Sequence, residues 1–231
     1  MKSPSLIPVY QPIVDITNSD IIAFEANIRG EDENGKVIGY EALRDANLIV
    51  DLDFKARDLA LNQFKLRKHK LFVNVAPQEM DKPLFFEDVD FSNVVLEITE
   101  ESSIKNAQRS RNRLKKLREN GLNVALDDFG SQQRNHDKLG EFEPDFVKLD
   151  KSIVKNAKPE VLEMFVPMIP HYKIIVEGVE TIDQLQRCKS LGFHFVQGYY
   201  LSRPLPYEAL LTDLYNEDLQ ASIQQKLSEL T

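Results

Sequence analysis

Asp127 and Asp128 stand side by side at the end of the apolar run Val124-Ala-Leu, just before Phe129-Gly130. Neighbouring side chains of a strand point to opposite faces, so an acidic pair inside a sheet is costly. Where a strand ends and the chain turns, both carboxylates can address one place. Two negative charges that close repel, and a divalent cation between them relieves the repulsion. Polar residues of the same kind end the other apolar runs: Glu25, Asn74, Glu97, Lys148, Glu177 and Gln197. Carboxylates and an amide oxygen, with no His or Cys, suit Mg2+ or Mn2+ rather than zinc. An Asp pair can bridge two ions about 4 Å apart, the arrangement that activates water and clamps a phosphate ester. Lys148 could orient that water or neutralise a phosphoryl oxygen, and Glu177 could complete a second metal shell or act as base. His69, His136, His171 and His194 occupy no such position. Taken singly, each residue has an ordinary explanation: a Glu ending a strand pairs with water or a helix N-terminus, and a lone Lys snorkels. Convergence of all these ends on one mouth is not ordinary.

The elements that would position them alternate along the chain. Strands are predicted at 7–14, 20–28, 70–76, 93–98, 122–127, 145–149, 172–177 and 193–197. Helices are predicted at 40–68, 102–120, 151–169, 181–190 and 207–230, with a kink or early end at Pro167. Gly121 and Gly192 sit where helix C-termini should fall, each just before a strand. Apolar strands alternating with helices imply a parallel sheet covered on both sides, and eight strands in roughly 200 residues fit a (β/α)8 barrel. A doubly wound open sheet is disfavoured, because no glycine-rich nucleotide fingerprint follows any strand. The first two strands are joined by Thr17-Asn-Ser-Asp20, too short for a crossover helix, so they should pair antiparallel. The expectation is an α/β fold: a modified TIM-type (β/α)8 barrel with its first strand antiparallel to the others, as one domain over 1–231.

Composition narrows the functions. The 231 residues carry a formal net charge of -8, which argues against a duplex nucleic-acid surface. The basic run Arg109–Arg118 interleaves Leu114 and Leu117 at helical spacing, so its charges belong to a solvated helix face. The one cysteine, Cys188, fits a reducing compartment. Residues 1–16 make a poor signal peptide, and no apolar run approaches a membrane span. A cytoplasmic protein without membrane insertion is expected.

The motifs in order resemble the EAL-domain phosphodiesterases of bacterial cyclic-di-GMP signalling. The resemblance runs from Tyr10-Gln-Pro-Ile13 to Gln197-Gly-Tyr-Tyr200 and through Arg203-Pro-Leu-Pro206. Phe24-Glu-Ala-Asn-Ile-Arg29 is similar to the signature segment, followed by Asn74, Leu96-Glu-Ile-Thr-Glu100, Asp127-Asp-Phe-Gly130, Lys148-Leu-Asp150 and Glu177-Gly-Val-Glu180. Two literal Glu-Ala-Leu triplets, at 41–43 and 208–210, lie in predicted helices and are not the signature. The resemblance implies that Glu25, Asn74, Glu97 and Asp127 hold one metal, with Asp127 shared to a second held also by Asp128 and Glu177. It implies that Lys148 and Gln197 position water and that Gln11 and Arg29 contact the dinucleotide. Asp150 would support Lys148 at the substrate site, and Glu100 and Glu180 would steady the loop after Asp128. The implied reaction is hydrolysis of cyclic-di-GMP to linear pGpG by two Mg2+ or Mn2+ ions in a homodimer. Asn27 stands where the family has Leu, Gly30 where it has Trp, and Ser131-Gln-Gln-Arg-Asn135 where it has Thr/Ala-Gly-Tyr-Ser-Ser.

Two other readings compete with this one. The altered loop and an exposed C-terminal helix would suit a weakly active or inactive cyclic-di-GMP receptor, or a regulator that binds a protein partner. A barrel lyase using Lys148 as a Schiff base ranks last, because crowded carboxylates hold that lysine protonated.

Overall fold

The computed structural model describes residues 5–31, 37–39, 43, 49–66, 68–75, 90–99, 107–131, 136–155 and 159–230. Ten strands lie among them: β1 (Ser5–Asp15), β2 (Asp20–Glu31), β3 (Val37–Ile38), β4 (Lys70–Asn74), β5 (Val94–Thr99), β6 (Asn123–Phe129), β7 (Phe146–Leu149), β8 (Lys173–Val176), β9 (Phe195–Val196) and β10 (Leu205–Pro206). Eight close into a barrel in the order β1-β9-β8-β7-β6-β5-β4-β2, and β1 meets β2 to seal the ring. The β2–β4, β4–β5, β5–β6, β6–β7, β7–β8 and β8–β9 pairs are parallel, whereas β1 runs antiparallel to both β2 and β9. The short β3 and β10 extend β2 and β1 outside the ring.

Period-two alternation sorts the side chains. Ile13, Ala23, Phe72, Val95, Ala125, Phe146 and Ile175 form one buried cluster, with Phe195 packed beside it. They come from successive barrel strands and fill the interior as a plug, two phenylalanines offsetting two alanines. The intervening residues, such as Leu71, Leu96, Val124, Leu126, Val147 and Val176, join the larger core under the helices. That core is completed by Leu114 and Leu117 of the Ala107–Glu119 helix and by Leu185 and Cys188 of the Ile182–Ser190 helix. Lys115 and Lys116 stay exposed, as the basic run predicts. Gly121 and Gly192 adopt φ of +92° and +82°, the left-handed conformation that ends a helix before a strand. No helix of the described residues is long and apolar enough to cross a membrane.

Three helix expectations change. The 40–68 helix is described as Ile49–Gln63, and residues 64–66 beyond it are not helical. The 151–169 segment divides into Lys151–Lys155, Pro159–Glu163 and a 3-10 turn at Val166–Met168, because Pro159 and Pro167 cannot donate to a preceding turn. The 207–230 segment is two helices, Tyr207–Tyr215 and Asp218–Ser228, separated by Glu217 at φ 60°. The five-residue step from Leu214 to Leu219 explains that break, since a continuous helix would carry Leu219 off the apolar face. With the break, Leu210, Leu219, Ile223 and Leu227 are all buried, so the C-terminal helix is docked rather than free. The helix His136–Phe142, too short to show a period, escapes sequence reading. Of the 102–120 helix, Ala107–Glu119 is described and 102–106 lie outside the described residues.

Candidate active site

The plug dictates the site. Two residues beyond each plug residue, on the same inward face, stand Glu25 after Ala23, Asn74 after Phe72, Glu97 after Val95, Asp127 after Ala125, Lys148 after Phe146, Glu177 after Ile175 and Gln197 after Phe195. On β1 the direction reverses, and Gln11 stands two residues before Ile13. Gln11, Glu25, Asn74, Asp127, Asp128, Lys148, Glu177 and Gln197 line one cavity of about 640 Å3 at the carboxyl ends of the parallel strands.

Lys148 is its centre. Only 1% exposed, its Nζ lies 2.6 Å from Glu97 Oε1 and from Glu177 Oε1, 3.2 Å from Asp127 Oδ1 and 3.3 Å from Glu25 Oε1. Burial alone would push this lysine down. The surrounding Asp127, Glu177, Glu25 and Glu97 outweigh burial and hold it well above the usual range. Burial likewise raises Glu97, against the pull of Lys148, and pushes Glu177 up to about 8. The charges do not balance within the cluster: one lysine faces four carboxylates. A protonated lysine here is no Schiff-base nucleophile.

Asp128 joins through backbone geometry. Its φ is 55°, in the left-handed region, and the pairing of β6 with β7 slips between Leu126 and Phe129. Asp adopts this conformation more readily than most residues. The slip turns consecutive carboxylates toward one cavity, and Asp127, Asp128 and Glu177 each offer an oxygen within 4.8 Å of the others. Glu97 Oε2 and Asp127 Oδ1 are buried without a hydrogen-bond partner. A lysine contact close enough for an ion pair does not complete the shell of either carboxylate. Unsatisfied, buried, hard oxygens on an electronegative floor are a donor set that fits Mg2+ or Mn2+.

The remaining predicted residues divide. Gln197 Nε2 donates to Glu25 Oε2 at 2.7 Å, and Gln11 Nε2 donates to the Ser202 carbonyl at 3.0 Å. Arg29 lines the cavity and donates to its neighbour's carbonyl, that of Ile28, at 3.0 Å. Asp150 accepts from Ser152 N at 2.9 Å, at the start of the Lys151–Lys155 helix. Glu180 pairs with Lys155 at 2.7 Å on the rim. Glu100 and loop residues 132–135 lie outside the described residues. Sequence reading missed Arg57, which lines the cavity at 4% exposure and donates to the Asn74 carbonyl at 2.7 Å. Arg57 lies three residues before the buried Ala60 on its helix, but nothing local in the sequence marks an arginine as buried.

A closed mixed barrel with a carboxylate and lysine cluster at the carboxyl ends of its strands defines a hydrolase-like class of site. The chain belongs to the EAL domain family, whose model matches residues 1–204. The probable cyclic di-GMP phosphodiesterase PdeG of Escherichia coli is 30% identical over 234 residues, covering 90% of this chain and 46% of PdeG. The cyclic di-GMP phosphodiesterase NbdA of Pseudomonas aeruginosa is 27% identical over 227 residues, covering 87% of this chain and 29% of NbdA. The chain therefore spans less than half of either relative. Among solved structures, the PaMucR phosphodiesterase in its c-di-GMP complex is 25% identical with a TM-score of 0.75, covering 89% of this chain and 94% of that one. The manganese and cy-diGMP complex of Klebsiella pneumoniae BlrP1 is 26% identical with a TM-score of 0.74, covering 87% and 56%.

Proposed function

We propose that this chain hydrolyses one phosphodiester bond of cyclic-di-GMP, releasing linear pGpG and lowering the second messenger. The observation that carries this reading is the Asp127, Asp128 and Glu177 cluster on the floor of a cavity whose buried cation is Lys148. Glu25, Asn74, Glu97 and Asp127 would hold one divalent ion, and Asp127, Asp128 and Glu177 a second. When bound, Mg2+ or Mn2+ would supply a water activated at neutral pH and a clamp on the phosphoryl oxygens.

The chain's own residues do the rest. Lys148 keeps the carboxylates from repelling one another apart and presents positive charge to the developing charge on phosphorus. Gln197 fixes the orientation of Glu25, so that carboxylate meets the reacting centre in one rotamer. Lys148 and Gln197, on the cavity wall beside Glu177 and Glu25, would position the attacking water. The water oxygen bonds to phosphorus as the bond to the 3′ oxygen breaks. The leaving oxygen takes up a proton, leaving a 5′-phosphate on one guanosine and a free 3′-hydroxyl on the other. Arg29 and Gln11, on the cavity wall, would contact the dinucleotide.

The test is chromatography of cyclic-di-GMP incubated with purified protein and Mn2+ or Mg2+. Turnover to pGpG that stops with EDTA, and that Glu25→Ala abolishes, is the expected result. Binding without turnover would replace the enzyme with a receptor, and neither would leave a regulator of protein partners.

A further inference from the structure

The match to the family model ends at residue 204, but the chain beyond it reaches back to the site. The Asp218–Ser228 helix docks through Leu219, Ile223 and Leu227. Its last turn then grips consecutive residues of the loop after β9. Lys226 Nζ donates to the Leu201 carbonyl at 2.8 Å, and Glu229 Oε2 accepts from the Tyr200 hydroxyl at 3.1 Å. At its other end the same helix is tied to the β1–β2 turn, where Gln220 Nε2 donates to the Ser19 carbonyl.

The gripped loop belongs to the cavity. Gln197, Gly198, Tyr199 and Pro204 line it, and Ser202 supplies the carbonyl to which Gln11 donates. Gly198 lies flat against Val179, where any Cβ would overlap the Val179 backbone. From there, Leu201 N and Ser202 N both return to the Gly198 carbonyl at 3.1 Å. The loop is thus a tight turn anchored at one end by the barrel. Its outer end is held by side chains from outside the family match.

We propose that Lys226 and Glu229 are positioning residues for substrate binding: they fix the Gly198–Arg203 loop, and through it Gln11 and Tyr199, in the binding geometry. The inference rests on the cyclic-di-GMP reading for its probe. A residue that shapes a wall in free and bound states alike changes KM rather than kcat. One charge-assisted hydrogen bond lost at a half-buried position is worth roughly a 3- to 10-fold change.

The experiment compares the full chain with Lys226→Met, Lys226→Arg and Glu229→Ala by steady-state hydrolysis of cyclic-di-GMP with Mn2+. Calorimetric binding of cyclic-di-GMP in EDTA runs in parallel. Lys226→Met is expected to raise KM and Kd about 3- to 10-fold with kcat within about 2-fold, Glu229→Ala, which loses an exposed bond, to raise them by about 2-fold, and Lys226→Arg to restore KM and Kd. A fall in Tm with KM and Kd unchanged overturns the proposal and leaves the helix a purely structural element. Wild-type binding without turnover, with Kd still raised in Lys226→Met, upholds the positioning role while removing the phosphodiesterase reading. Absence of both binding and turnover in the wild type overturns both.

Discussion

At the scale of single residues, the cluster around Lys148 is an ion-paired knot short of positive charge. Its stability should therefore depend on pH in a defined direction. In the metal-free protein, burial raises Glu177 to about 8, whereas an unfolded glutamate titrates near 4.3. Between those values the folded chain binds more protons than the unfolded one. The stabilisation is complete below the unfolded value and is lost as pH rises through the folded value. In EDTA, the unfolding free energy is expected to fall from about pH 5 to pH 8 by at most roughly 1.4 kcal/mol per pH unit from this group, and Tm to fall with it. Glu177→Gln should flatten that slope, and a profile already flat in the wild type refutes the account. Asp128 offers a cleaner separation of backbone from charge. Asn tolerates φ near 55° as well as Asp does, so Asp128→Asn should leave stability within about 0.5 kcal/mol. Under the proposed function, in which Asp128 would hold the second ion, turnover should fall by about 100-fold or more. A large drop in Tm would show instead that the carboxylate holds the bend.

At the scale of elements, each strand carries a filler residue and, two positions on, a working residue. Ala125 is fully buried in the same plug as Phe72 and Phe146, whose rings meet edge to face at 5.1 Å, and stands two residues before Asp127. Ala125→Leu should cost about 1–3 kcal/mol by overpacking, read from urea denaturation, and should lower turnover by displacing Asp127. Unchanged urea midpoints would mean that the plug has room. This two-residue rule is why the site was legible in the sequence: Glu25, Asn74, Glu97, Asp127, Lys148, Glu177 and Gln197 all end apolar runs whose period assigns them a common face. The antiparallel β1 was legible from the shortness of Thr17–Asp20. Helix ends were less so. The break at Glu217 depends on which face Leu219 must reach, a tertiary fact that the leucine stripe announces only through its five-residue step. Arg57 escaped because a buried arginine has no local signature: its reason to be inside is the Asn74 carbonyl, 17 residues away.

At the scale of the whole molecule, the carboxylate-lined cavity is closed by contacts distant in sequence. The segment after Asp128 differs most from the family, and its residues 132–135 lie outside those described. Replacing them with the family residues, Gln132→Gly, Gln133→Tyr, Arg134→Ser and Asn135→Ser together, is expected to raise turnover of cyclic-di-GMP. Unchanged rates would show that the altered segment does not limit the reaction. The barrel seam has an effect of another kind. β1 is bracketed by β2, 5 to 26 residues away in the register, and by β9 and β10, close to residues 195–206. Gln197 meets Glu25 across 172 residues, and Gln11 meets Ser202 across 191. A nascent chain emerging from the ribosome therefore holds its acidic residues without their enclosure until the last strands appear. Translation arrested before Phe195 is expected to leave the chain protease-sensitive, and release past Pro206 to protect it. Under the proposed function, cyclic-di-GMP would meet an enclosed site only after the strands through Pro206 have been made, so synthesis itself would time the first encounter with the ligand.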